Sequence, residues 1–291
     1  MTVVCVITPV FNDAEMLAVT GASMAAQTRP PDRWVIVDDG STDGTPAVAD
    51  RLAAELPFAT VLHRPVRERT DGLAEASEVN AFEVGLAELR GAFDVLGKLD
   101  GDLEFPPDYY ATLLAALDAD PALGIVGGQC YERHDGRLVL DPVPEEHVRG
   151  ATKLWTRACW DAIGGIVARL GWDTADEVRA RRAGFTTRSI AGLGLVHLRP
   201  MGARGGMLRG MARVGVCAHA TGCAPSFAVA RGVKYGWIKR PRVLAGIAFL
   251  WGYTRAFVTR RPRILDADEV RWVQQRQRRR LVRLGRALPE D

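Results

Sequence analysis

The stretch Val95-Leu-Gly-Lys-Leu-Asp-Gly-Asp-Leu-Glu-Phe-Pro-Pro-Asp108 decides how this chain is read. An apolar run ends there in three carboxylates at alternate positions, Asp100, Asp102 and Glu104. Alternate side chains of an extended chain point the same way, so these charges would crowd one side. Carboxylates that close repel and raise each other's pKa unless a cation lies between them. An isolated D-x-D is short and occurs in solvated acidic turns, so the surrounding pattern decides its meaning.

Outward from that stretch, apolar runs alternate with helical patterns, which predicts an α/β fold with a mostly parallel central sheet flanked by helices. Val3 to Thr8 reads as a buried strand closed by Pro9, Ala14 to Gln27 as a helix, and Trp34 to Asp38 as the next strand. That strand ends at Asp39-Gly-Ser-Thr-Asp-Gly44. Thr45 to Glu55 reads as a helix, Thr60 to His63 as a strand, Glu75 to Leu89 as a helix and Phe93 to Leu99 as a strand. Ligands of such sheets bind outside the carboxyl ends of the strands, so Asp38, Asp39, Asp100 and Asp102 fall on one rim. Further along, the pattern gives a helix at Tyr109 to Leu117, a strand at Gly124 to Gly128, and helices at Thr156 to Ile163 and Thr174 to Ala183. Gly184 supplies the stop of the last, and Phe185 to Ile190 and Leu193 to Leu198 follow as extended segments. The absence of a P-loop, of a G-x-G-x-x-G after a strand and of internal repeats argues against kinase-like and dinucleotide-binding roles.

The composition, 47% hydrophobic and 25% charged, is that of a soluble globular protein. A net charge of +3 does not describe a polyanion binder, and no nucleic-acid partner is expected. Five cysteines without a C-x-x-C suit a reducing cytosol, and the N-terminus lacks the basic region and cleavage site of a signal peptide. Cys217-x-His219-x3-Cys223 has part of a zinc-site spacing but no fourth ligand nearby. The character changes near Met201, which divides the chain into 1–200 and a basic, helical 201–291. Val243 to Val258 places Val243, Ile247, Leu250, Thr254 and Phe257 on one helical face. Its sixteen residues reach about 24 Å, short of a ~30 Å bilayer core. Lys239, Arg240, Arg242, Arg260, Arg261 and Arg263 flank it, which suits either a helix lying on an anionic membrane or one packed on the first domain.

Four motifs in order, "VITPVFND", "VIVDDGSTDGT", "KLDGDLEFPPDYY" and "WDAIGG…GWDTADEVRARRAG", resemble family 2 glycosyltransferases of GT-A fold. The resemblance covers roughly Thr2 to Pro200 and implies inverting transfer of a sugar from a nucleoside-diphosphate donor, a UDP- or GDP-sugar. It implies a divalent cation, Mn²⁺ or Mg²⁺, to stabilise the leaving diphosphate, with Asp102 as direct ligand and Asp100 on the ribose or donor sugar. Pro9, Val10 and Phe11 offer a slot for the nucleobase, and Asp39 is placed to accept a base N–H; Asp38 suits turn capping. A late histidine serves as a metal ligand in some GT-A enzymes, a role His197 would take here, and Arg199 and Arg204 would clamp the diphosphate. The general base of the family stands eleven residues before the glycine that ends the following helix. Counting back from Gly184 gives Asp173, with Trp172 departing from the usual Glu; Asp176 and Glu177 are the alternatives. The expected activity is a glycosyltransferase with a hydroxyl or phosphate acceptor, lipid-linked, acting at the cytoplasmic face of the cell membrane. The alternatives are a soluble enzyme acting on a small molecule and a catalytically silent sugar-nucleotide binder.

Overall fold

Val4–Val10 is β1, and every residue in it except Pro9 is buried, which is what a continuous apolar run does at the centre of a sheet. The computed structural model describes residues 2–66, 77–134, 136–199 and 206–286. Helix α1 (Ala14–Ala25), β2 (Arg33–Asp38), α2 (Thr45–Glu55), β3 (Ala59–His63), α3 (Ser77–Leu89) and β4 (Val95–Leu99) follow in the order the sequence predicts. Glu75, the expected start of α3, lies outside the described residues. Strands β3, β2, β1 and β4 lie side by side and parallel. Val10 pairs with Asp38 and Ile7 with Lys98, so the residues just beyond β1, β2 and β4 emerge along one rim.

The chain continues through β5 (Leu103–Glu104), α4 (Tyr109–Ala119), β6 (Leu123–His134), β7 (Arg137–Leu140), β8 (Thr152–Thr156), α5 (Arg157–Ile163), α6 (Trp172–Arg182) and β9 (Thr186–His197). Here the sheet is mixed: β8 runs antiparallel to β4 and β6, β9 is parallel to β6, and β5 is antiparallel to β9. The order is β3-β2-β1-β4-β8-β6-β9-β5, with β7 on β6. The two extended segments expected around 191–192 are one strand with a bulge, where Gly192 takes φ +81°. Thr156 caps α5 by accepting from the Cys159 N–H at 3.3 Å. Trp34 and Trp155 are fully buried, and Phe82 packs against both Trp155 and Trp160.

The chain divides into two compact units, Met1–Arg169 with Arg179–Pro200, and Leu170–Val178 with Met201–Asp291. Residues 170–178, which the sequence reading assigned to the first domain, thus sort with the second unit. The second unit contains α7 (Met207–Ala220), α8 (Pro225–Ile238), α9 (Leu244–Val258) and α10 (Ala267–Arg286). Helices α7 and α9 approach backbone to backbone. A Cβ on Gly252 would lie 1.9 Å from the Ala212 carbonyl oxygen, and one on Gly215 would lie 2.0 Å from that of Phe249. On α9 the buried residues are Ala245, Gly246, Phe249, Gly252, Tyr253 and Ala256. Of the apolar stripe read from the sequence, Leu250 is partly buried, whereas Val243, Ile247, Thr254 and Phe257 are exposed. Among the described residues no helix is long and apolar enough to cross a membrane. Gly252→Ala is expected to destabilise the helical unit by about 1–3 kcal/mol, since the added methyl forces two backbones apart. Urea unfolding checks this, and an unchanged midpoint would contradict so close an approach.

Candidate active site

The D-x-D carboxylates are brought together by a turn at Gly101-Asp102, not by strand alternation. Gly101 is required there, because a Cβ would meet Val10 Cγ1 at 2.5 Å. Past the turn, β5 pairs Leu103 with His197 of β9, which sets the imidazole beside Asp102. His197 Nε2 lies 3.1 Å from Asp102 Oδ1, with both side chains largely buried. Single ligand atoms from Asp100, Asp102 and His197 all fall within 4.8 Å of one another. Glu104 drops out of the group: it pairs at 3.1 Å with Arg133 on the exposed surface.

The charges in this cluster are answered by His197 and Arg199 and by one cation that the sequence pattern did not single out, Lys98. Lys98, buried in β4, donates to Asp100 Oδ1 and, at 3.2 Å, to the Gly150 carbonyl. A lone lysine within the apolar Val95–Leu99 strand was the available signal. Burial pushes the Asp100 carboxyl up; the Lys98 charge pulls it back and the Asp102 charge pushes it further, leaving it raised. Burial would raise Asp102 too, but the hydrogen bond and charge of His197, with Arg199 and Lys98, hold it below the usual range. His197 moves the opposite way: burial disfavours its cation, yet the hydrogen bond and charge of Asp102, with the charges of Asp100 and Glu132, outweigh burial and raise it.

The loops after β1 and β2 are stitched together. The Asn12 N–H donates to Ser41 Oγ at 3.0 Å, Thr42 N–H to Asn12 Oδ1 at 2.8 Å, and Asp13 N–H to Thr45 Oγ1 at 2.8 Å. Asp38 caps its own turn, accepting from Ser41 N–H at 3.0 Å, and also meets His63 at 3.0 Å. Asp39 is buried, and Arg64 donates to it at 2.5 Å. Pro9 and Phe11 are half-buried at the rim. Val10, expected in the base slot, has its side chain buried beneath Gly101, where it forms the floor of the turn. Arg199 donates to Asp13 Oδ1, so the expected diphosphate clamp is held in an ion pair beside the cluster. Arg204 lies outside the described residues.

Asp173 and Asp176, the expected base and its alternative, stand on the part of α6 that belongs to the second unit. Asp173 is half-buried in the first turn, where a carboxylate suits the helix dipole. Its charge adds to burial in raising the Cys217 thiol to about 12. Asp176 is 1% exposed, and its Oδ1 accepts from the Glu177 N–H at 2.7 Å. The Cys217, His219 and Cys223 spacing does not make a zinc site. Among the described residues the Asp100, Asp102 and His197 group alone could hold a metal, and His219 Nε2 instead faces the Arg261 carbonyl at 3.1 Å.

Two carboxylates and an imidazole fit a hard or borderline divalent cation. Ligand atoms around Mg²⁺ or Mn²⁺ at about 2.1 Å are separated by roughly 3–4.2 Å; the His197–Asp102 separation of 3.1 Å falls in that range, and the 4.8 Å limit on the whole group is slightly wider.

Residues 5–141 match the family model described as Glycosyl transferase family 2. The chain is 38% identical over 155 residues to an undecaprenyl-phosphate mannosyltransferase of Micrococcus luteus, covering 53% of this chain and 58% of that protein. It is 34% identical over 150 residues to a polyprenol monophosphomannose synthase of Mycolicibacterium smegmatis, covering 50% and 54%. It thus spans little more than half the length of these relatives. A mannosyltransferase from Pyrobaculum calidifontis, solved with GDP-Man and Mn²⁺, superposes with TM-score 0.56 at 20% identity over 88% of this chain and 73% of that one. Glucosyl-3-phosphoglycerate synthase from Mycobacterium tuberculosis, solved with Mn²⁺, UDP and phosphoglyceric acid, gives 0.51 at 16% identity over 74% and 78%. The chain resembles family 2 glycosyltransferases in sequence and has the GT-A fold.

Proposed function

We propose that this protein is an inverting, metal-dependent glycosyltransferase moving a sugar from a UDP- or GDP-linked donor to a lipid-linked acceptor at the cytoplasmic face of an anionic membrane. The observation that carries the reading is the Asp100, Asp102 and His197 group at the rim where β1, β2 and β4 end. The two relatives named for polyprenol-phosphate mannosyl transfer support a lipid-linked acceptor.

In this reading Asp102 and His197 would hold the cation, and Asp100, steadied by Lys98, would face the ribose or donor sugar. A bound divalent cation supplies charge stabilisation to the departing diphosphate. Asp102 favours a proton on His197, so a cation held by these two residues would compete with that proton and its affinity would fall as the pH drops. Asp39 and the half-buried Pro9 and Phe11 receive the nucleobase, with Arg64 fixing the Asp39 carboxylate. Arg199 balances Asp13 and leans charge toward Asp102. Asp173, by its spacing to Gly184, takes the proton from an acceptor hydroxyl. A phosphate acceptor is largely ionised at neutral pH and needs no such base.

The test is a thermal-stabilisation panel of nucleoside diphosphates and their sugars, with and without Mn²⁺. A rise in midpoint with a uridine or guanosine ligand, dependent on Mn²⁺, is expected. No response to any nucleotide under either condition would end the reading.

A further inference from the structure

Helices α8 and α9 form a hairpin closed by Lys239-Arg-Pro-Arg242, and its tip carries apolar side chains where a solvated turn would carry polar ones. Trp237 is 81% exposed at the end of α8, with Ile238 beside it. Val243 is 65% exposed where α9 begins, followed by Leu244 and Ile247. Farther along, Val233 on α8 and Trp251 and Val258 on α9 also face outward. Leu244, Ile247, Trp251 and Val258 recur at helical spacing and make one stripe. The tip is held together: Val243 N–H donates to the Gly236 carbonyl at 2.8 Å, and a Cβ on Gly246 would meet the Gly232 oxygen at 2.3 Å. Val243 sits at φ +59°, where β-branched residues are rarely found, so the backbone is strained at a residue that presents its side chain to solvent.

The charge around this tip has one sign. From Val178 to Leu265 the sequence has no aspartate or glutamate, and Lys234, Lys239, Arg240 and Arg242 border the exposed apolar groups. Exposed tryptophans beside lysines and arginines are the chemistry of a membrane interface, where the indole lies among headgroups and the cations meet anionic lipid. A second copy of this chain fits less well, since a two-fold contact at the tip would set the same cations against one another.

We propose that the α8–α9 hairpin tip is a peripheral docking surface for an anionic phospholipid bilayer, with Trp237 as its anchor. This deepens the lipid-linked acceptor reading but stands on the surface alone, because docking requires neither donor nor metal.

The experiment is flotation of the full-length protein with vesicles of phosphatidylcholine, with or without phosphatidylglycerol, at low and high salt. Binding to the anionic vesicles at low salt, weakened by salt and absent on phosphatidylcholine alone, is expected. The double variant Trp237→Ser, Ile238→Ser is expected to weaken that binding by about tenfold or more. Arg240→Gln and Arg242→Gln together are expected to weaken it by about thirtyfold, at about 1 kcal/mol for each charge. These side chains are at the surface, so the variants keep the wild-type melting midpoint and nucleotide response. The proposal is overturned if the wild type stays unbound, if the variants float as it does, or if sedimentation shows a dimer that Trp237→Ser, Ile238→Ser dissociates. A vesicle-binding protein that ignores every nucleotide would overturn the transferase reading and leave the docking surface standing.

Discussion

Asp102→Asn is expected to abolish metal-dependent turnover, lowering kcat/KM by on the order of a thousandfold or more while the fold survives. Asparagine has nearly the same shape as aspartate, so the turn and the Val10 floor beneath Gly101 are undisturbed. What would be lost is one anionic ligand of the proposed cation, and the charge that faces His197. Removing a single electrostatic contact to a developing charge typically costs ~10²–10³-fold, and losing the ligand that positions the cation removes more than one contact. Initial rates across a Mn²⁺ titration, with circular dichroism melts as a folding control, make the measurement. Full activity of the variant, or of the wild type in EDTA, would contradict the assignment.

Asp173→Asn is expected to lower kcat by about 10²–10⁴-fold with little change in donor affinity, the signature of an interaction made mainly in the transition state. Asp176→Asn is the control with a different expected result. Asp176 is almost fully buried and hydrogen-bonded to the Glu177 N–H, so its loss should appear in stability before rate. Steady-state kinetics of both variants beside their melting curves separate the two. An inactive but stable Asp176→Asn with an active Asp173→Asn would move the base by three residues. Activity in both would point to an acceptor oxygen already ionised before attack, as a phosphate is.

The carboxylates of the candidate site were more legible than their partners. Asp39, Asp100 and Asp102 stand out because they interrupt apolar strands at their carboxyl ends, and the strand pattern alone puts them on one rim. The register of β5 against β9, which delivers His197 to Asp102 from 95 residues away, is a tertiary fact with no local sign. The same holds for Arg64 with Asp39 and Arg199 with Asp13, separated by 25 and 186 residues. Strands β7 and β8 escaped for another reason. All of β7 is exposed, while β8 contains Lys153, a charge that breaks the apolar pattern although it is buried in the sheet. Helices α7 and α8 have no acidic residue in the first turn and no side-chain cap, and glycine is frequent in both, so the usual helix signals are weak.

Where α7 and α9 touch, the structure is held by atoms that are missing: Gly215 and Gly252 are positions at which any side chain is an obstacle. Such a seam is under a different kind of selection from an oily core. Leucine can drift to methionine or isoleucine and a core still fills, but a glycine pressed against a carbonyl has no neighbour in the genetic code that fits. Divergent relatives of this helical unit should therefore look dissimilar in hydrophobic content and alike in the spacing of Gly215, Gly232, Gly246 and Gly252. A search for its kin is better framed by those four gaps than by any residue with a side chain.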